Sequence, residues 1–252
     1  MKPQGNLAAL VLAGSRPGAV DPVAASEGIA HKALAEVGGK PILTRVVEAL
    51  RQAGISRIAV AANDPQVMAL AEALGTELVP PQAGPSASVG AAFATLDAPL
   101  LVTTADHALL RAEWVRDFVS DVPDETDAAV LLASREAVER ALPESRRTWL
   151  RLADGDWSGC NLFLMASPRA INAIEAWKAV EADRKRPWKI AARFGLRPLW
   201  LYVTGRLTAD GAVALLGRRV GVEAHAVAAR DGLAAVDVDK PQDLADVRRI
   251  TG

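Results

Sequence analysis

Apolar residues follow two alternating patterns along the chain, short unbroken runs and stretches of helical periodicity. The first run, residues 7–13 (LAALVLA), is apolar throughout and leads into a Gly-Ser-Arg loop, which predicts a buried parallel strand. Residues 41–53 begin with a proline and end before a glycine, as helices commonly do. Their apolar positions have the spacing of one helical face: Ile42, Leu43, Val46, Val47 and Leu50. This segment is therefore predicted to be an amphipathic helix.

The same two patterns predict the remaining elements. Strands are predicted at residues 58–62, 77–79, 99–104, 128–133, 162–165, 199–203, 222–226 and 234–238. Helices are predicted at residues 65–74, 86–95, around 114–119, 168–183, 209–216 and from 241 onward. Such alternation is typical of a sheet joined by right-handed crossovers with helices on both faces. We therefore expect a three-layer α/β/α sandwich with a mixed, mostly parallel sheet. We expect one domain over residues 1–252, with an acceptor-side insertion around residues 143–200.

The composition is that of a globular protein with little net charge. The 252-residue chain is 50% hydrophobic and 23% charged, and its formal net charge is -1, which argues against a nucleic-acid partner. Cys160 is the only cysteine in the sequence. This excludes an internal disulfide and a cysteine-based zinc site, and it suits a reducing compartment. No apolar segment has the length of a spanning helix, so we expect a cytoplasmic protein with at most peripheral membrane contact.

Four loops coincide with the predicted carboxyl ends of strands: residues 13–32, 82–88, 104–107 and 237–240. These ends share one edge of a parallel sheet, where open α/β proteins bind their ligands. In the first loop, Ala13, Gly14 and Ser15 allow backbone amides to approach a ligand, while Arg16 and Lys32 add positive charge. This combination favours a polyphosphate ligand.

Two acidic residues at the same edge favour a hard cation. Asp106 follows the strand predicted at 99–104, and Asp239 follows the strand predicted at 234–238. Magnesium binds one or two carboxylates together with phosphate oxygens and water, so the pair suits a metal-bound triphosphate. Each aspartate could instead cap a helix, and Asp237 is the alternative to Asp239.

An ordered set of motifs resembles one enzyme family over nearly the whole chain. The motifs are LAG at residues 12–14 with Arg16, HKAL at 31–34, GKPIL at 39–43, GPSASV at 84–89, TADH at 104–107 and DVDKPQDL at 237–244. They resemble the MobA-like nucleotidyltransferases of the glycosyltransferase-A-like, Rossmann-type fold. Relatives in this group include molybdenum-cofactor guanylyltransferase, CMP-KDO synthetase and CDP-methylerythritol synthetase. The chain departs from the pattern at His31, which replaces a proline, and at residues 17–30, which replace a run of glycines.

The resemblance implies roles for individual residues. Lys32 and Arg16 correspond to a phosphate clamp that acts in catalysis with Asp106, and Asp106 and Asp239 correspond to the metal ligands. The implied nucleotide-binding residues are Leu12, Ala13, Gly14, Ser15, Pro85, Ser86, Ser88, Thr104 and Ala105. Ser86 and Ser88 could also serve only as helix caps.

The acceptor side is predicted from two observations. Gly159 and Asn161 match a G-x-N segment of the family that contacts the ribose or the acceptor. Lys189 belongs to a stretch in which Trp149, Trp157 and Trp188 lie among arginines and lysines. Such a stretch could receive a phosphorylated and even lipid-linked acceptor, although a solvated helix end explains the basic residues equally simply.

The function implied is a Mg²⁺-dependent transfer of a nucleoside monophosphate from a nucleoside triphosphate to a small phosphorylated acceptor, with release of pyrophosphate. The Ser88-Val89 pair slightly favours CTP over GTP. Two alternatives stay open from the sequence. One is a nucleotide-binding sensor or partner protein with little turnover, suggested by the altered loop, and the other is a glycosyltransferase that uses nucleotide sugars.

Overall fold

The apolar runs form a central mixed sheet in the computed structural model of the chain, which describes residues 7–15, 20–144, 147–182 and 196–252. The strands are β1 (Ala8–Ala13), β2 (Glu36–Val37), β3 (Lys40–Pro41), β4 (Arg57–Ala62), β5 (Glu77–Val79), β6 (Leu100–Thr104), β7 (Ala128–Ser134), β8 (Leu150–Leu152), β9 (Gly155–Met165) and β10 (Ala224–Ala228). The main sheet has the order β10-β7-β9-β6-β1-β4-β5, with β8 paired to β9, while β2 and β3 form a separate ribbon.

Helices cover both faces of this sheet. They are α1 (Pro22–Glu27), α2 (Ile42–Gln52), α3 (Pro65–Ala73), α4 (Pro85–Leu96), α5 (Ala112–Asp121), α6 (Arg135–Ala141), α7 (Ala170–Ala182), α8 (Leu196–Val203), α9 (Ala209–Arg219) and α10 (Pro241–Thr251). Short 3₁₀ helices occupy Lys32–Leu34 and Gly232–Ala235.

Side chains of β1 alternate between two hydrophobic cores, as a strand covered on both faces requires. Ala9 and Val11 pack on the face covered by α2, α3, α5 and α10. Ala8 and Leu10 pack on the face covered by α4 and α7. The prediction of a three-layer α/β/α fold with a mixed, mostly parallel sheet is therefore confirmed.

Strand β9 is the antiparallel member of the main sheet. It lies between β6 and β7 and pairs antiparallel with both, whereas β1 pairs parallel with β4 and β6, β4 with β5, and β7 with β10. The strand predicted at residues 162–165 thus begins earlier, at Gly155. The register of β7 against β9 shifts between Val130 and Leu132, and on β9 Asn161 adopts a left-handed φ of 50°.

Two predicted strands are wrong. Residues 199–203 (LWLYV) lie in helix α8, because a short apolar run has no periodicity that separates strand from helix and Pro198 fits the first turn of a helix. The strand predicted at 234–238 is instead a 3₁₀ helix followed by an extended segment, whose Val238 amide donates to the Asp106 carbonyl at 3.0 Å. The long loop predicted at 17–30 contains helix α1.

None of the helices in the described part of the chain combines the length and apolar character needed to cross a bilayer.

Candidate active site

The predicted loops meet in a cleft of about 1120 Å³ at the carboxyl ends of β1, β4, β5 and β6. Fourteen of the predicted or motif residues line it: Leu12, Ala13, Gly14, Ser15, His31, Lys32, Gly84, Pro85, Ser88, Thr104, Ala105, Asp106, Asn161 and Asp239. Ser86 and Gly159 are not among the described residues that line the cleft. Arg16 and Lys189 lie outside the described residues, as do Arg146, Trp188 and the basic residues 184–186.

Lys32 bridges the two predicted metal ligands. Its Nζ lies 2.6 Å from Asp106 Oδ2 and 2.7 Å from Asp239 Oδ1. The Asp106 side chain is 13% exposed and that of Asp239 is 61% exposed, so one carboxylate lies at the floor of the cleft and the other at its rim. Burial by itself would lower the pKa of Lys32, but the two carboxylates outweigh it and raise that pKa above its ordinary value. Lys32 is therefore a fixed cation at physiological pH.

His31 orients the turn that presents Lys32. Its Nδ1 accepts a hydrogen bond of 3.0 Å from the Ala33 amide and so caps the 3₁₀ helix. Burial lowers the pKa of His31 below its ordinary value, which keeps the ring neutral and Nδ1 free to accept. The histidine that replaces the family's proline thus has a defined structural role.

Separate hydrogen bonds hold the segments that carry Asp106 and Asp239, which are 133 residues apart in sequence. The Ala105 amide donates to the Leu12 carbonyl, which ties the end of β6 to the first loop. The Thr104 hydroxyl donates to Asp106 Oδ1. On the other side, Asp243 Oδ2 accepts from the amides of Asp239 and Lys240 at 3.0 and 2.8 Å. Asp243 therefore caps α10 and also fixes the backbone that carries Asp239.

Asp237 faces a different set of partners from Asp239. Its Oδ1 accepts from Arg147 Nη2 at 2.6 Å, and its Oδ2 accepts from Asn161 Nδ2 at 2.8 Å. Arg147 also approaches the Ser158 hydroxyl at 3.4 Å. The cluster connects the segment before β8, strand β9 and the extended segment 236–240. Asp237 is thus committed to protein partners, and Asp239 is the carboxylate at the cleft.

The first loop is stabilised by Asn63, a residue that the motifs did not indicate. The Ser15 amide donates to Asn63 Oδ1, and Asn63 Nδ2 donates to the Ser15 carbonyl, both at 3.0 Å. The amide of Ser15 is therefore already engaged by the protein. A Cβ atom on Gly14 would lie 3.0 Å from Pro81 Cβ, so the absence of a side chain at Gly14 allows this loop to pack against residues 80–84.

The two serines of the GPSASV motif have separate contacts. Ser88 Oγ accepts from the Gln82 amide at 2.8 Å and donates to the Gly84 carbonyl at 3.0 Å, so it shapes the loop at the cleft. Ser86 Oγ donates to Glu181 Oε2 at 2.6 Å, and the same oxygen accepts from the Ser86 amide. Gly84, not a serine, is the N-cap residue of α4. Glu181 of α7 supplies the anion at this helix end.

Two aromatic rings contribute to the apolar lining of the cleft. Phe163 of β9 and Trp177 of α7 line the cleft, and their centroids are 5.3 Å apart with an interplanar angle of 29°. These two side chains are apolar, whereas Lys32 and its two carboxylate partners in the same cleft are charged. The cleft therefore offers both charged and aromatic groups to a ligand.

Comparison with known proteins identifies the family of the chain. Residues 9–197 match the family of the MobA-like NTP transferase domain. The chain is similar to a solved structure described as a hypothetical transferase from Thermus thermophilus, at 32% identity and a TM-score of 0.80, covering 97% of this chain and 100% of that one.

Two more distant structures share the fold. One is a CMP:2-keto-3-deoxy-manno-octonic acid synthetase complexed with CTP, at 18% identity and a TM-score of 0.56, covering 96% of this chain and 97% of that one. The other is the CTP:phosphocholine cytidylyltransferase of Streptococcus pneumoniae, at 15% identity and a TM-score of 0.59, covering 98% of this chain and 100% of that one. The chain belongs to the MobA-like NTP transferase family and is a nucleotidyltransferase.

Proposed function

We propose that the enzyme transfers CMP from CTP to a small phosphorylated acceptor, with Mg²⁺ bound by Asp106 and Asp239. The observation that carries this proposal is the pair of carboxylates bridged by Lys32 at the floor and rim of the cleft. An ammonium ion between two carboxylates marks a position where the protein stabilises positive charge.

The charge of the cleft supports a requirement for a divalent cation. Among the described residues that line it, Lys32 contributes one positive charge, Asp106 and Asp239 contribute two negative charges, and His31 is neutral. The sum is -1, which repels the several negative charges of a triphosphate. A bound divalent cation reverses this sign and makes the cleft attractive to the nucleotide.

The donor set fits magnesium. Carboxylate oxygens are the hard ligands that Mg²⁺ prefers. Within the described residues no cluster of three or more histidine, cysteine or acidic side chains could hold a metal, so phosphate oxygens and water would complete the coordination, as is usual for this ion. When bound, Mg²⁺ supplies Lewis-acid stabilisation of charge on the phosphates.

The residues of the chain would then align and neutralise the reactants. An acceptor phosphate oxygen attacks the α-phosphorus, the bond from that phosphorus to the bridging oxygen breaks, and pyrophosphate leaves with the electron pair. Lys32 stabilises the negative charge that moves to the departing phosphates. No protein nucleophile takes part in this scheme. Cys160, the only thiol of the chain, is buried with a pKa raised to about 12, which keeps it protonated.

Three features favour CTP and an acceptor at β9. One structural neighbour is a complex with CTP, and another carries CTP in its name. The loop shaped by Ser88 and the ring of Trp177 adjoin the same cleft, and such a loop and ring can hold a pyrimidine base. Asn161 lies at the side of the cleft formed by β9, so we assign the acceptor to residues 143–200, including Gly159 and Lys189, within one 252-residue domain. A cytoplasmic location suits the single buried thiol.

The test is ligand-linked stability followed by turnover. We expect CTP with Mg²⁺ to raise the melting temperature more than GTP, ATP or UTP, and we expect little effect of CTP without the metal. Asp106→Asn should abolish the Mg²⁺-dependent part of the rise in melting temperature. The matched control is Asp124→Asn, because Asp124 is exposed and distant in sequence from the motifs. Pyrophosphate release with a panel of phosphorylated acceptors then identifies the second substrate. Equal shifts with and without Mg²⁺ would overturn the metal assignment.

A further inference from the structure

Helix α8 exposes an unusual amount of apolar and aromatic surface. Leu199, Trp200, Tyr202 and Val203 are between 47% and 76% exposed. Among the described residues eight large hydrophobic side chains are exposed, and four of the eight belong to this one eight-residue helix. Single exposed apolar residues are normal on a protein surface, but a cluster marks a place of interaction.

The sequence that contains α8 is basic. The sequence from residue 184 to residue 209 contains seven lysines and arginines and no acidic residue, although the whole chain has a net charge of -1. Two of these cations belong to the described residues, Arg197 on the helix and Arg206 just after it, and both are exposed. The Arg206 guanidinium lies 5.7 Å from the ring centroid of Trp200. The surface therefore combines aromatic rings, aliphatic side chains and positive charge.

The segment that follows α8 is hydrogen-bonded to the β8-β9 hairpin. The Ala153 amide donates to the Leu207 carbonyl at 2.8 Å, and the Asp154 carboxylate accepts from the Ala209 amide. Strand β9 runs from this hairpin to Asn161 at the cleft, a distance of about 20 Å along the strand. A ligand bound at α8 is thus held on the side of the molecule from which β9 enters the site.

We propose that α8 is a membrane-surface helix that binds the headgroup region of an anionic phospholipid bilayer. Tryptophan and tyrosine favour the interface between water and lipid, the aliphatic residues gain from burial below it, and the cations are attracted to anionic headgroups. At eight residues the helix is too short to span the hydrocarbon, so the contact is peripheral. This proposal concerns a different surface from the nucleotide cleft and does not depend on the nucleotide used there.

Two other binding partners for the exposed surface of α8 fit the observations less well. In a symmetric dimer the same surface faces itself, which would bring Arg197 and Arg206 of one copy toward the same arginines of the other. A nucleic acid would match the charge, but it would leave the aliphatic side chains of Leu199 and Val203 without a suitable partner.

Sedimentation of the full chain with phospholipid vesicles tests the proposal. We expect binding to vesicles that contain phosphatidylglycerol, weak binding to pure phosphatidylcholine, and loss of binding as salt is raised. Val203→Asp should weaken binding to the anionic vesicles by about tenfold, because a carboxylate enters both the apolar and the basic surface. Ile171→Asp adds the same charge at an exposed apolar position of α7 and should bind like the unaltered chain.

The possible results distinguish a lipid bilayer from a second copy of the chain as the partner of α8. Failure of the unaltered chain to bind anionic vesicles overturns the proposal, as does equal weakening by Val203→Asp and Ile171→Asp. Self-association of the unaltered chain that Val203→Asp abolishes, without vesicle binding, would assign α8 to a second copy. A cooperative thermal melt of the same samples verifies that each variant is folded.

Discussion

Arg147 Nη2 lies 2.6 Å from Asp237 Oδ1, and both side chains are largely buried. This pair decides which carboxylate of the Asp-Val-Asp segment belongs to the cleft, because it turns Asp237 toward the segment before β8 and leaves Asp239 beside Lys32. A charge pair with little solvent access depends strongly on both partners.

Removal of Arg147 should destabilise the protein. We expect Arg147→Met to lower the free energy of unfolding by about 3 kcal/mol, since it leaves a buried carboxylate with Asn161 as its remaining side-chain partner. Urea denaturation measures this, and the double variant with Asp237→Asn should lose less than the sum of the single variants. Arg140→Met breaks an exposed pair with Glu136 on α6 and should cost less than about 1 kcal/mol. Equal losses for the two arginines would contradict the assigned role.

Lys32 should have opposite effects on turnover and on metal binding. In the proposed mechanism Lys32→Met removes a cation that stabilises the departing phosphates, so we expect kcat to fall by about 10²-fold or more. The same variant frees the carboxylates of Asp106 and Asp239 from the ammonium. Mg²⁺ alone, without nucleotide, should therefore stabilise the variant more than the unaltered enzyme in a thermal melt. The control is Lys40→Met, which removes an exposed lysine paired with Glu48. If Lys32→Met leaves the response to Mg²⁺ unchanged, Lys32 and Mg²⁺ do not compete for the two carboxylates.

Stability should fall in mild acid because of His107. This ring is fully buried against Trp114, and burial lowers its pKa to about 4, with the charge of Asp237 opposing this only in part. In the unfolded chain the pKa is near 6.5, so the unfolded state takes up the proton first as pH decreases. The effect of His107 on the free energy of unfolding is zero above about pH 7, and it reaches about 3 kcal/mol of destabilisation near pH 4.

His107→Leu should make the pH dependence shallower. Its ring nitrogens make no hydrogen bond of ordinary geometry within the described residues, so an apolar side chain of similar size costs little. We measure the free energy of unfolding of both proteins from pH 7 to pH 4. The variant should lose less stability than the unaltered chain, and the two curves should separate only in the acid range. His31 is present in both proteins and cancels in the difference, and parallel curves would exclude His107 as the cause.

The two serines of α4 should differ in their effect on nucleotide affinity. Ser88→Ala removes the hydroxyl that holds Gln82 and Gly84, so we expect KM for the nucleotide to rise by about three- to tenfold. Ser86→Ala removes a contact with Glu181 outside the cleft, so we expect a loss of stability of about 1 kcal/mol with a smaller change in KM. Steady-state kinetics and denaturation distinguish the two, and an equal rise in KM would refute the separation.

The sequence was sufficient for most strands and for the location of the cleft. Apolar runs such as residues 7–13 end where small or acidic residues begin, and a parallel sheet then brings those ends together. The partners of the site residues were not predictable. Asn63 meets Ser15 across 48 residues, Arg147 meets Asp237 across 90, and Glu181 meets Ser86 across 95. Such pairs depend on tertiary packing, which no local pattern encodes.

The two incorrect strands have a common origin. Residues 199–203 and 234–238 are both short apolar segments, and the apolar run alone does not determine whether a segment pairs with a neighbour. The first forms a helix with exposed apolar residues, and the second passes beside Asp106 with one backbone hydrogen bond. The second error left the position of Asp239 unaffected, since that bond brings the segment to the predicted edge.

The antiparallel strand β9 also sets an order of assembly during synthesis. The strands β1, β4, β5 and β6 can pair as soon as the ribosome has released residue 104, and β7 follows them in the chain. The first 152 residues nevertheless cannot form the continuous sheet, because the place between β6 and β7 is filled by residues 155–165. The nascent chain must therefore keep a gap in its sheet until β9 arrives. The strand that closes this gap brings Asn161 to the cleft, and the cleft is complete only when Asp239 follows in the chain.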